Sequence, residues 1–158
     1  MHANQTFRRQ RTWMLLAMVN FALAASLGAL LRWAFIEEVP GLVFKNVLHA
    51  HSHVAMLGWL YLGLFALLVA AFVPEAVLRT SRLGFLFALA EIGVLGMLVS
   101  FPVQGYGAVS ITFSTLHMLA AYGFAVVVWR EIRGQSGIAY RWIQAALGWM
   151  VLSTLGIW

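Results

Sequence analysis

Three histidines stand at alternate positions, His49, His51 and His53, at the head of one apolar stretch, and His117 lies inside another. Residues four apart share a helix face, so His49 and His53 point together. His51 points about 200° around the helix, at about 100° per residue. A regular helix therefore offers one pair and one odd histidine, and a single metal on all three would need a broken helix. By a rise of about 1.5 Å per residue, His53 sits about 9 Å and His117 about 14 Å from the outer ends of their helices. Tilt closes a gap of that size. Two imidazoles facing each other at similar depth are what a six-coordinate haem needs, and neutral imidazole nitrogen suits haem iron, copper and zinc alike. Ionisable groups within a membrane are costly and usually face an interior site, which favours His53 and His117 as ligands. For His49 interhelical hydrogen bonding is the stronger reading, and His51 is placed against a loop or a neighbouring subunit.

Other residues bear on the same chemistry. Arg32, level with His49, either snorkels to the headgroups or pairs with a carboxylate such as a haem propionate. Glu91, in the middle of a span, is the candidate for proton-transfer chemistry, with an interhelical hydrogen bond as its plainer role. Gln104 and Tyr106 lie on the outer side above the histidines, where a ligand would enter.

The elements that hold these residues are membrane helices. Of the 158 residues, 63% are hydrophobic and 9% charged, against about half and a quarter in soluble domains. A chain this short cannot hide that excess in a soluble core, and a bilayer removes the need. Five apolar stretches, about 13–35, 47–73, 83–101, 108–129 and 142–158, approach the roughly 20 residues a spanning helix needs. The first is too long for a signal sequence and is read as a retained helix. Segment 101–107, with Pro102 and two glycines, reads as an uncharged turn-rich loop. Basic residues fall at Arg8, Arg9 and Arg11, at Arg79 and Arg82, and at Arg130, Arg133 and Arg141. Their alternation puts the N-terminus inside and the C-terminus outside. The expectation is one all-α domain, 1–158, in a bacterial inner membrane.

The run from Leu48 to Trp59, Leu-His-Ala-His-Ser-His-Val-Ala-Met-Leu-Gly-Trp, resembles the second helix of haem-copper oxidase subunit I–like proteins, the superfamily of terminal oxidases and nitric oxide reductases. In that family a histidine early in this helix ligates low-spin haem b from the outer side. The resemblance gives that role to His49, His51 or His53, with His53 favoured. The Phe113-Ser-Thr-Leu-His117 run is similar to a later helix of small relatives. The resemblance covers about a third of the chain. No histidine follows His117, so the family's copper site and its oxygen chemistry are not implied. What is implied is a half-sized relative whose second ligand is His117 or a histidine of a second copy.

The leading expectation is therefore a small b-type cytochrome with haem b between His53 and His117, working in electron transfer with quinol or another donor. A second is a non-haem copper or other metal site on His49, His53 and His117. A third is an accessory subunit of a larger respiratory complex, or a homo-oligomer. The chain has no cysteine, which excludes disulfides and thiolate sites. No phosphate loop or serine elbow is present. The net charge of +5 belongs to cytoplasmic loops rather than to nucleic-acid binding.

Overall fold

A computed structural model describes residues 2–78 and 80–154, with the backbone alone at 2–6 and 81. Arg79 and positions 155–158 lie outside the described residues. All described secondary structure is helical. Helix α1 runs His2–Trp33, α2 Phe44–His53, a π-helical segment Val54–Tyr61, and α3 Leu62–Phe72. The short α4, Glu75–Leu78, leads to α5, Ser81–Gln104; α6 is Ala108–Ile132 and α7 Ile138–Thr154. Four helices are long and apolar enough to cross a membrane: Phe7–Trp33, Phe44–Phe72, Arg82–Gln104 and Ala108–Ile132. The fifth apolar stretch forms α7, of 17 residues.

Local chemistry sets the boundaries. Pro40 and Gly41, the latter at φ +77, interrupt the chain before α2. Pro74 follows α3 at once, and its missing N–H cannot continue the ladder. Gly105, at φ +60, ends α5 by donating its N–H to the Phe101 carbonyl at 2.8 Å, the left-handed close that glycine allows. The next helix begins three residues later, at Ala108. Its Ser110 hydroxyl accepts from the Gly107 N–H at 3.0 Å and donates to the Gly105 carbonyl at 2.6 Å.

The expected loop 101–107 is corrected here. Helix α5 continues through Pro102 to Gln104, leaving Gly105, Tyr106 and Gly107 as the connection. Apolar surroundings tolerate a proline late in a helix when neighbours take up the freed backbone groups. The Pro102 carbonyl, which the end of α5 leaves without a helical partner, accepts from the Asn46 side chain at 3.5 Å. Gln104, oriented with its carboxamide oxygen toward α6, accepts from the Val109 and Ser110 amides at 3.1 and 2.9 Å, so it caps a helix instead of lining an entrance.

Helix α1 lies along the whole second span, α5 packs on α2, and α5 and α6 form the most extensive contact, an antiparallel hairpin. Helix α7 rests mainly on α6. The core centres on rings: Trp13 stacks on Phe87 at 5.0 Å and Phe65 on Phe124 at 4.0 Å. Large apolar side chains such as Leu15, Val19, Leu64 and Leu119 face outward. Apolar residues inside and outside alike suit a bilayer as the surrounding solvent.

The two ends of the bundle differ in charge. Arg9 donates to the Thr80 carbonyl at 3.3 Å, and Phe72 meets Tyr140 at 5.6 Å, so residues 8–11, 74–78, 80–82 and 130–141 share one end. Segment 34–43, with Glu37 and Glu38, and the turn at Tyr106 share the other.

Candidate functional site

His53 and His117 line one cavity of about 530 Å³, together with Tyr61, Tyr106, Ser114 and Thr154 among others. That volume lies in the usual range for small-molecule and cofactor sites, about 300–1,000 Å³. His53 closes α2 and is the tenth residue of the second span; His117 is the tenth residue of α6. Both therefore lie at about the same depth, about 14 Å from their helix starts. The sequence estimate had them a few Å apart because it began the second span at 47 instead of at Phe44. The added turn closes the gap without tilt.

Each of the two rings is anchored by one nitrogen. His53 Nδ1 lies 2.8 Å from the His49 carbonyl, and His117 Nδ1 lies 3.1 Å from the Ala90 carbonyl of α5. A carbonyl only accepts, so Nδ1 carries the hydrogen and Nε2 keeps its lone pair. Metal-binding histidines are oriented in this way. His117 is 3% exposed, and its Nε2 is buried with no hydrogen-bond partner. Buried polar atoms are almost always paired, so such an atom needs a cause. The His117 backbone is fixed as tightly: a Cβ built on Gly93 would stand 3.0 Å from the Phe113 carbonyl oxygen and 3.1 Å from the His117 nitrogen. Glycine lets α5 and α6 approach that closely.

Aromatic rings close the site. His53 packs on Phe101 at 4.5 Å and on Tyr106 at 6.1 Å; Tyr61 meets His117 edge-on at 5.0 Å. The Tyr61 hydroxyl is buried and has no partner. A second, almost wholly apolar cavity of about 310 Å³ shares Tyr61 and Met150 with the first.

The remaining sequence candidates are dispersed. His49 shares the His53 face, as the four-residue spacing requires, but it stands behind Tyr106 at 4.6 Å and is not on the cavity wall. Its Nε2 is also buried without a partner. His51 points the other way, into α1, where Nδ1 meets the Ala24 carbonyl at 2.9 Å and the ring lies over Gly28. Arg32 is exposed and off the cavity wall. Glu91 sits on another face of α5, bonded to Asn20. Among the described residues no group of three or more His, Asp or Glu gathers to hold a metal ion.

Sequence reasoning missed Asn20, Tyr61 and the π-segment. Asn20 did leave a signal, since it is the one amide in the apolar run from Trp13 to Ala25. Tyr61 did not stand out from other interfacial aromatics, and a widened helical turn has no compositional mark.

Comparison with family models, with curated proteins and with solved structures finds no match.

Proposed function

We propose that the chain is a small membrane cytochrome that holds haem b between His53 and His117 and passes single electrons from quinol or another donor. The observation that carries the reading is the pair itself: two imidazoles from different spans, each tied at Nδ1 to a carbonyl, on the wall of one cavity. The donor set fits a haem. The two Nε2 lone pairs are the groups that would hold the iron, and the partnerless Nε2 of His117 acquires a reason. The likeness of 48–59 to a haem-ligating helix supports the same assignment. Arg32 does not fit the role of propionate partner, and the reading does not use it.

Haem bound there supplies one-electron redox chemistry whose potential follows axial ligation and burial. The protein's part is positional. The carbonyls of His49 and Ala90 fix both tautomers. Phe101 and Tyr106 pack the His53 ring, and Tyr61 packs the His117 ring. The reading adds five spans, with the basic end in the cytoplasm and the cavity toward the outer end, in a bacterial inner membrane.

The test is a reduced-minus-oxidised absorption spectrum of the purified protein with a pyridine haemochrome assay. The expected result is a low-spin b-type spectrum, with haem content falling at least about tenfold in His53→Ala and in His117→Ala. His51→Ala keeps the haem. A colourless wild-type protein overturns the reading. Bound copper or zinc without porphyrin moves the site to non-haem metal, and co-purification with a larger haem-bearing subunit makes the chain an accessory.

A further inference from the structure

Glu91 is the single Asp, Glu, Lys or Arg between Leu83 and Trp129. Asn20, 1% exposed, meets it from α1. One Nδ2 hydrogen bond runs to Glu91 Oε2 at 2.8 Å, and another runs to the Gly58 carbonyl of the π-segment at 3.2 Å. Both amide hydrogens are then used, and Asn20 Oδ1 is left buried with no partner. Exchanging the amide nitrogen and oxygen does not help, because Oδ1 would then face a carbonyl and a carboxylate, both acceptors. The position is fixed from behind: a Cβ built on Gly58 would stand 3.0 Å from Asn20 Cβ and 2.8 Å from a Val94 methyl.

Two costs coincide at this junction. A carboxylate in an apolar medium is expensive without a counter-charge, and so is an acceptor without a donor. A single proton removes both. Placed on the carboxyl oxygen that Asn20 does not reach, it makes Glu91 a neutral acid whose O–H is the donor Oδ1 lacks. Acid and amide then close a ring, N–H to carboxyl oxygen one way and O–H to amide oxygen the other. We infer that Glu91 carries a proton at neutral pH in this acid–amide pair, so that the meeting of α1, the π-segment and α5 is a half-buried proton-binding site within the span. Release frees one H⁺ and leaves the carboxylate with the Asn20 N–H alone and Oδ1 without a donor; no electron moves. The site is separate from the histidine cavity and does not depend on a haem.

The surrounding groups leave the proton as the available partner. Helix α1 presents Asn20, and the π-segment presents the Gly58 carbonyl. From α2, His49 and His53 pack on Phe101; Tyr61 and His117 meet each other at the cavity, with His117 bonded to the Ala90 carbonyl. No Lys or Arg occurs at 12–31, 46–78 or 83–129; Lys45 stands in the first turn of α2 and Arg32 in the last turn of α1.

Infrared difference spectra decide it, on the full chain in phosphatidylcholine vesicles at neutral pH, wild type against Glu91→Gln. Gln keeps the shape and the Asn20 contact, and circular dichroism checks its fold. The expected result is a protonated-carboxyl C=O band, absent from Glu91→Gln and shifted down in D₂O. In Asn20→Ala, and in Asn20→Ser as a second variant, the band moves up in frequency as its hydrogen bonds are lost. The inference is overturned by the absence of such a band. It is equally overturned by a band that both Asn20 variants leave unmoved, or by one that sodium removes at constant pH, which marks a metal-cation site instead.

Discussion

His117 is fixed at three places at once: Nδ1 on the Ala90 carbonyl, the ring edge against Tyr61, and the backbone pressed on Gly93. The third has no slack, because the atoms facing Gly93 belong partly to the main chain. Gly93→Ala is therefore expected to push α6 outward and to lengthen the bond to Ala90. Overpacking of this kind typically costs about 1–3 kcal/mol. Thermal unfolding in detergent gives that number, and the absorption spectrum of the same variant reports whether His117 has shifted. Unchanged stability together with an unchanged spectrum contradicts the packing argument. That His53 and His117 belong together was legible because cost inside a membrane singles them out, and the two do line one cavity. Arg32 was drawn into the site by depth along its helix and His49 by the face it shares with His53, and neither says what a side chain finally meets. Arg32 turns outward, and His49 is screened from the cavity by Tyr106.

The second span is one continuous rod in two registers, α-helical to His53 and from Leu62, π-helical between them. Short π-helical stretches often mark functional sites. Here the segment carries Gly58 to Asn20 and Tyr61 to the ring of His117. Gly58→Ala places a methyl against Val94 and Asn20. It is expected to lower stability by about 1–3 kcal/mol and to weaken the Asn20–Glu91 bond, read as an upward move of the Glu91 carboxyl band. Hydropathy located the helices well. The first four stretches became helices of spanning length, with ends differing by a few residues, because a long apolar run without charge has few alternatives to a helix in lipid. Hydropathy located neither the π-segment nor the continuation of α5 through Pro102. Both depend on which neighbour receives the displaced backbone groups, and a single sequence does not carry that.

At the scale of the molecule the arginines gather at one end, where Arg8, Arg9, Arg11, Arg82, Arg130, Arg133 and Arg141 outnumber Glu75 and Glu131, while at the other end Arg32 and Lys45 offset Glu37 and Glu38. The proposed topology keeps those basic segments in the cytoplasm. The absence of native cysteine makes the test clean. In intact cells a membrane-impermeant maleimide is expected to label Glu38→Cys and to spare Gln135→Cys, with both labelled after lysis. The reverse pattern inverts the proposed topology.

The connection between α5 and α6 is three residues long, and glycines on the facing side of α5 bring the two helices into close contact. That hairpin cannot hinge. The opposite wall is different in kind. Met150 and Thr154 come from α7, which leans on the bundle largely through α6 and is pinned near the cavity by the Tyr122–Thr154 hydroxyl pair. A guest in that cavity would therefore lie between two unlike walls, one held by a tight hairpin and one resting on a single helix and its hydroxyl pair.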